Sequence, residues 1–471
     1  MVQTSIDIET KIKEIFAKQQ QNAPKIALTT AKERIAKIKS IMDWMIQNES
    51  KIADALYKDY KKHPAEVKIS EMMPVIGEGK YVIKHLKNWM SPQDVPTPLK
   101  MIGTTSRIIH EPKGNCLIIS PWNYPINLTF KPLIQAIAAG NVVMIKPSEM
   151  VTHTSALLSS AIRELFDENE IAVIEGDAEV SQQILELPFN HIFFTGSPAV
   201  GKIVMAAAAK NLASITLELG GKSPTIIDET ANVKDAAQKL AAEKFLNNGQ
   251  TCIAPDYVLV HHSKKRELID EMNKYLAKLY GNDVESNGDY CRIVNQRHFS
   301  RVNGLIDDAV AKGAKVEIGG QVNPNDNFVS PTVLSNVSDN MKILQQEIFG
   351  PVLPIIEFAD NQEVVDYIRK NEKPLALYIF SSKRKNIDYF LANTSAGGTV
   401  INETSIHYLQ DNLPFGGVNN SGIGKSFGKY GFDEFSNIRA VVEHKFSSFK
   451  MFHPPYTNRV MKMLDMVIKY L

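Results

Sequence analysis

Cysteine is scarce in this chain: three in 471 residues, at Cys116, Cys252 and Cys291, with no C-x-x-C pair. An odd number at wide spacing argues against a disulfide framework and against a cysteine-built zinc site, so no metal is expected. A reducing compartment fits best, which makes the cytoplasm the expected location. Neither sign of charge is in excess: 53 Lys+Arg stand against 52 Asp+Glu, a formal net charge of +1. That balance offers no basic surface for nucleic acid and no acidic arm. No apolar run approaches the ~18–20 residues that cross a bilayer, and the polar stretch Met1–Thr10 does not read as a signal peptide. A G-x-G-x-x-G dinucleotide fingerprint is also missing. What remains is a globular composition, 44% hydrophobic and 22% charged, long enough for two or three domains and suited to a small-molecule ligand.

Residues 1–90 read as helices; Ile35, Ile38, Met42, Met45 and Ile46 recur at helical spacing and form one stripe. Pro92, Pro96 and Pro98 punctuate a connector. From Ile108 short apolar strands alternate with helices. Strands are expected at 117–120, 142–146, 172–175, 192–195 and 215–219, with helices near 128–139, 154–166, 178–185 and 200–210. That alternation predicts a parallel, doubly wound sheet, which binds ligands beyond the carboxyl ends of its strands. A second α/β series follows Gly220, with strands at 225–227, 257–260, 352–356, 375–380 and 399–401. Near the C-terminus, Val460, Met463, Leu464, Val467, Ile468 and Leu471 fall at helical spacing opposite Lys462, Asp465 and Lys469. This amphipathic helix is expected to dock on its own subunit or a partner, with a membrane-surface helix as the lesser reading.

The polar segments after these strands carry the candidate chemistry, and each has a plain structural reading beside it. Asn123, in Ser120-Pro121-Trp122-Asn123-Tyr124-Pro125, either donates to an oxyanion or makes an Asx turn between prolines. Lys146-Pro147-Ser148-Glu149 either holds ribose hydroxyls or starts a helix. Gly196-Ser197, opening a helix that runs past Gly201-Lys202, suits a pyrophosphate. The near miss to a triphosphatase loop fails there, because Ile203 stands where a magnesium-ligating Ser or Thr belongs. Cys252, after Asn247-Asn248-Gly249-Gln250-Thr251, is a nucleophile or a core cysteine. Glu218, before Gly220-Gly221, is a base for water or an ion-pair partner. Glu347 and Phe349 meet a second ribose and a flat ring, or are a solvated acid and a core aromatic.

Taken together and in this order, these segments resemble the aldehyde dehydrogenase superfamily. The resemblance spans nearly the whole chain: 121–125, 146–149, 194–197, 217–224, 249–252, 347–351 and 414–417 fall at matching spacings. The Cys252–Tyr257 and Pro414–Gly424 segments resemble its class 3 branch of fatty and aromatic aldehyde dehydrogenases. The resemblance implies a Rossmann-type cofactor domain (1–93 and 113–220) and a second α/β catalytic domain (221–420). It adds a β-flap oligomerisation element (94–112 and 421–446), with a tail at 447–471. It implies Cys252 as nucleophile, Glu218 as base for the deacylating water, and Asn123 with the Cys252 N–H as oxyanion hole. Lys146 and Glu149 match adenosine-ribose positions, Gly196 and Ser197 the phosphate loop, and Glu347 and Phe349 the nicotinamide-ribose contacts. Trp122, Ser148, Thr195, Gly201, Leu219 and Gly220 complete the expected cofactor set, and Tyr124, Thr251, His407 and Phe415 the expected substrate lining. The implied activity is NAD(P)-dependent oxidation of a medium- or long-chain aliphatic or aromatic aldehyde to its acid, by a homodimer. NAD is favoured over NADP, because Glu149 would repel a 2′-phosphate. The rival readings are a coenzyme A-acylating aldehyde dehydrogenase and a non-catalytic nucleotide-binding protein on this fold.

Overall fold

The structure is a computed structural model that describes residues 2–98, 101–446 and 453–470. Residues 99–100 of the expected flap, 447–452 of the expected tail and Leu471 lie outside the described residues. The first sheet runs, in space, Gly422–Ile423, Ser214–Leu219, His191–Gly196, Asn115–Ile119, Val142–Lys146, Ile171–Val173. All but Gly422–Ile423 pair in parallel. The chain starts at Asn115–Ile119, builds outward to Ile171–Val173, then returns to the other side with His191–Gly196. The order therefore reverses between Asn115–Ile119 and His191–Gly196, where a ligand crevice opens in such sheets.

Continuous apolar runs make these strands, because both faces of the sheet are covered. Cys116 and Ile118 face one core with the helices Ala31–Gln47, Met73–Trp89 and Asn127–Ala139, while Leu117 faces the other with Val2–Ala27 and Pro198–Lys210. Of the stripe expected on the second helix, Ile38 and Met45 are buried but Ile46 is exposed, and Ile41 takes its place in the core. Pro132 sits inside Asn127–Ala139, and the helix stops at Gly140 in the left-handed conformation (φ 92°).

The second sheet runs Lys315–Ile318, Thr332–Ser335, Val352–Phe358, Tyr257–His261, Pro224–Ile227, Ala376–Phe380, Gly398–Ile401, parallel except for its first pair. A third, antiparallel sheet joins Gln93–Val95, Thr104–Pro112 and Ser436–His444. The segment drawn from sequence as one flap piece, 421–446, divides. Gly422–Ile423 forms the edge of the first sheet, and Phe432 and Phe435 enter the first core, so only 436–444 belongs to the flap sheet. The C-terminal helix spans Asn458–Tyr470. In this single chain its Met466 and Ile468 are 61% and 73% exposed, so these side chains are not docked on its own subunit. Among the described residues no helix is long and apolar enough to cross a membrane.

Candidate active site

Cys252 is half-buried at the end of a loop held in an uncommon backbone conformation. Asn247, Asn248 and Gly249 all take positive φ (51°, 56° and 69°), and a Cβ on Gly249 would lie 2.3 Å from the Gly350 carbonyl oxygen. Asparagine and glycine tolerate this region best, which accounts for the local sequence. Buried amides hold the loop from all sides. The Asn247 N–H donates to Glu66 (2.9 Å) and Asn248 Nδ2 to the Cys291 carbonyl (2.8 Å). Gln250 is saturated: Nε2 donates to the Asn247 and Arg292 carbonyls, and Oε1 accepts from Val294 N–H, each at 3.0 Å. The sulfur is thereby fixed where the backbone N–H groups of Cys252 and Ile253 point at it.

Asn123 lies just past the strand Asn115–Ile119. Its Nδ2 donates to the Gln250 carbonyl at 3.0 Å, two residues before the thiol. One amide proton fixes the group, leaving the second to donate to an oxygen beside Cys252. The Asn123 carbonyl is gripped by Tyr60 Oη (3.0 Å), Asn247 Nδ2 (2.9 Å) and Lys62 Nζ (3.4 Å). Behind it, Lys62 and Glu71 form a fully buried ion pair (3.0 Å), and Glu71 also accepts from Asn127 N–H at 2.9 Å. Glu71 sits in a π-helical turn, Lys68–Met72, of the kind often found near functional sites. Sequence reading missed Lys62 and Glu71, since nothing local marks a lysine and a glutamate nine positions apart as partners.

Glu218 and Cys252 line one cavity, together with Lys131, Gln135, Thr195 and Ser426. Glu218 Oε1 accepts from Ser426 Oγ at 2.8 Å, and its buried Oε2 has no partner. Burial raises the Glu218 carboxyl to about 8, against the opposing pull of Ser426 and Lys425. Burial also raises Glu347, to about 7, helped by Asp256. The Cys252 thiol is pushed up to about 12, first by burial and then by Glu347 and Glu218. Two buried carboxylates thus stand near enough to the thiol for their charge to disfavour the thiolate. Such perturbation is typical of sites where protons move.

Glu347 folds over the glycine bend: a Cβ on Gly220 would lie 2.2 Å from its Oε2. Its turn is strapped down by groups that the sequence did not reveal. Arg301 donates to the carbonyls of Glu347 (3.2 Å), Ile348 (2.7 Å) and Phe349 (3.3 Å), and Asp256 accepts from Ile348 N–H (2.8 Å) while paired with Lys222. Phe349, at φ 42°, meets Trp122 edge-on (5.3 Å between centroids), and His298 packs on Trp122 at 5.0 Å.

Several of the expected cofactor residues lie at or just past the carboxyl ends of two strands of the first sheet, Val142–Lys146 and His191–Gly196. Gly196 and Ser197 precede the helix Pro198–Lys210, where Ser197 Oγ accepts from Val200 N–H at 3.4 Å and Pro198 opens the first turn. Pro198 has no N–H and the Gly201 N–H donates to the Ser197 carbonyl at 2.9 Å, which leaves the Ala199 N–H of the first turn to meet a phosphate. Thr195 Oγ1 is buried without a partner. Gly201 permits close packing, since a Cβ there would meet Leu219 Cδ2 at 2.7 Å, and the Leu219 N–H donates to the Ser421 carbonyl at 3.1 Å. Lys146 is buried, with Nζ donating to the Pro147 carbonyl (2.7 Å) and 3.5 Å from Glu149, whose side chain is exposed. Ser148 is spent locally: its Oγ accepts from Met150 N–H at 3.3 Å and its carbonyl from Ser155 Oγ at 2.7 Å. An orphaned hydroxyl and a helix N-terminus at the end of His191–Gly196, and a lysine–carboxylate pair at the end of Val142–Lys146, two strands away, fit a dinucleotide.

On the other side of Cys252, Tyr124 Oη and Thr251 Oγ1 are 2.6 Å apart. His407 stacks on Phe415 (5.5 Å), and Phe415 on Phe427 (4.5 Å, 13° between planes). His407 is half-buried, neither ring nitrogen has a partner, and burial lowers it to about 4, so the ring is neutral and behaves as an apolar wall. Ser426 was quoted in the sequence only as part of Gly424-Lys425-Ser426; its bond to Glu218 depends on a chain crossing that no local pattern records.

Comparison with known proteins agrees with this geometry. The model of the aldehyde dehydrogenase family matches residues 3–441. The chain is 44% identical to 4,4'-diaponeurosporen-aldehyde dehydrogenase of Staphylococcus aureus over 394 residues, 84% of this chain and 85% of that protein. It is 39% identical to aldehyde dehydrogenase family 3 member B1 of Rattus norvegicus over 438 residues, 92% of each. Among solved structures, the substrate-bound state of Staphylococcus aureus AldH superposes with a TM-score of 0.93 at 39% identity, covering 97% of this chain and 99% of that one. More distant members, 26% identical, were solved with NADP (glyceraldehyde-3-phosphate dehydrogenase GapN of Methanocaldococcus jannaschii; TM-score 0.83, 93% and 95% covered) and with NAD+ (aldehyde dehydrogenase of Bacillus cereus; TM-score 0.84, 93% and 89%).

Proposed function

The chain belongs to the aldehyde dehydrogenase family, whose members use NAD(P), and on that premise we propose that it oxidises an apolar aldehyde to its carboxylic acid through a thioester on Cys252. The observation that supports this most is the pairing of Cys252 and Glu218 in one cavity, with Asn123 anchored to the loop that carries the thiol. The Cys252 thiol gives up its proton to solvent before it attacks, so that Glu218, with its carboxyl raised to about 8, is kept free as the base for the later hydrolysis. Sγ then bonds to the aldehyde carbon, and the carbonyl electron pair moves onto oxygen, where the free Asn123 amide proton and the Cys252 N–H receive it. A dinucleotide held by Lys146, Glu149, Gly196, Ser197 and Glu347 would supply the hydride acceptor that takes this carbon to the thioester level. Glu218 takes a proton from water, the new C–O bond forms, and the C–S bond breaks to return the thiol.

Tyr124, Thr251, His407 and Phe415 line the aldehyde's approach in this reading; the stacked rings and the neutral His407 favour a medium- or long-chain aliphatic or aromatic tail. Exposed Glu149 favours NAD, with some use of NADP allowed by Lys146. We read the molecule as a homodimer, because Ser436–His444 is the unpaired edge of the flap sheet and exposes Ile438 and Val442. Three free cysteines suit the cytoplasm.

The test is NAD(P)H formation across an aldehyde panel without coenzyme A, for wild type, Cys252→Ser and Glu218→Gln. Wild type should turn over, Cys252→Ser should not, and Glu218→Gln should give one rapid equivalent of NADH followed by slow turnover. Activity that requires coenzyme A would replace hydrolysis by acyl transfer. Steady activity in Cys252→Ser would refute the assignment.

A further inference from the structure

Ser426, which donates to Glu218, sits on a turn that cannot hold itself. The next residue, Phe427, adopts φ 73° and ψ 140°, a region that bulky L-residues avoid and that persists only where the surroundings over-determine it. Gly428 follows at φ 51°, where a Cβ would lie 2.2 Å from the Asp411 carbonyl oxygen. On one side, Ser426 and Phe415 exchange backbone hydrogen bonds of 3.1 and 2.7 Å. The other side is held by two helices of the first core. Glu78, on Met73–Trp89, accepts from the Gly428 N–H at 2.9 Å and from Gln135 Nε2 at 3.2 Å. Lys131, on Asn127–Ala139, places Nζ 3.3 Å above the Phe427 ring centroid and 4.0 Å from Glu78 Oε2. The Glu78 and Lys131 side chains are both almost fully buried.

A buried ion pair is a poor way to gain stability, since well-packed apolar residues of similar volume often do as well or better. This one meets the strained turn, and its Lys131 also lines the cavity of Glu218 and Cys252. We propose that Glu78 is a positioning residue for the general base: with Lys131 it fixes the Phe427 turn, and through that turn it keeps Ser426 Oγ donating to Glu218. The inference rests on the reading of Glu218 as the base that releases the thioester. Glu78 does not itself line the cavity of Cys252 and Glu218, so its effect passes through the turn that carries Ser426 and through Lys131.

The pH profile separates positioning from mere structure. Glu218 is faced by Ser426, Lys425, Glu434, Lys131 and Cys252; Glu78 is faced by Lys131, Gln135, the Gly428 amide and Asp411. The Ser426 bond favours ionised Glu218. If the turn relaxes, that bond is lost and the midpoint of the alkaline rise in turnover moves up. A neutral Lys131, deprived of its partner, acts in the same direction.

The experiment uses the full chain with NAD and an aldehyde that wild type oxidises, comparing pre-steady-state NADH formation with steady turnover across neutral to alkaline pH. Glu78→Gln and Ser426→Ala should each slow steady turnover on the order of tenfold, a part of the ~10²–10⁴ that a general base supplies. The first NADH equivalent should form within about twofold of the wild-type rate, because acylation precedes the step in which the base acts. Both should raise the pH midpoint, and the double variant should be no slower than either single one. Slower turnover in Glu78→Gln with an unchanged midpoint, or losses that multiply in the double variant, would overturn the inference. If Glu78→Gln does not fold, Glu78→Met with Lys131→Met removes both buried charges together; slow turnover with a raised midpoint supports the inference, and wild-type behaviour overturns it. Wild-type steady turnover in Glu218→Gln would refute the base itself and is read separately.

Discussion

At Cys252 the resting state opposes the chemistry. Burial, then Glu347, then Glu218 hold the thiol up to about 12, while the proposed attack needs a thiolate. Removing the charge of Glu347 should therefore free the sulfur. In cofactor-free enzyme at mildly alkaline pH, Glu347→Gln is expected to speed alkylation of Cys252 by iodoacetamide, each pKa unit of fall being worth about tenfold in thiolate. An unchanged rate would mean that the carboxylate does not act on the thiol. Glu218 has a different sign to work out. A base acts when deprotonated, and its carboxyl is raised to about 8, so the hydrolytic step should accelerate as pH rises to that value and level off above it. Steady-state turnover measured against pH checks this, and Glu218→Gln should abolish that limb. These residues were legible in the sequence because each stands beside a polar or glycine-bearing segment: Glu218 before Gly220-Gly221, Cys252 after Asn247–Thr251, and Glu347 before Gly350. Lys62, Glu71, Lys131 and Glu78 were not, because a buried pair between separate segments leaves no local trace.

At the scale of the element, the loop before the thiol shows how sequence dictates geometry. Asn247-Asn248-Gly249 supplies the residue types that accept positive φ, and Gln250 ties the loop to Arg292 and Val294. Gly249→Ala would put a methyl 2.3 Å from the Gly350 oxygen at φ 69°. Backbone strain of this kind costs about 1–3 kcal/mol, and the clash adds to it, so the midpoint of urea unfolding should fall and activity with it. The alternating strands and helices of both sheets could be read from apolar runs and their punctuation. Lys315–Ile318, Thr332–Ser335 and Gly422–Ile423 could not. They are two to four residues long, and their pairing partners lie elsewhere in the chain. The C-terminal helix was legible as a helix, but its apolar pattern said nothing of what covers it.

For the whole molecule, two parallel sheets bring segments from positions 120 to 426 to one place, which is why seven collinear motifs were more informative together than apart. The carboxyl ends of the first sheet contribute Asn123, Lys146, Thr195 and Glu218, and the second domain contributes Cys252 and Glu347. The flap sheet stands apart with one open edge. If that edge pairs two copies, Ile438→Lys with Val442→Lys should halve the mass measured by light scattering; an unchanged mass would place the interface elsewhere. The central claim, a covalent thioester on Cys252 released by Glu218, is tested most directly by intact mass measurement of Glu218→Gln after mixing with an aldehyde and NAD. The expected result is an increase by one acyl group, mapped to Cys252, in step with one equivalent of NADH and absent in Glu218→Gln/Cys252→Ser. NADH formed with no mass added, or an adduct on another residue, would contradict it.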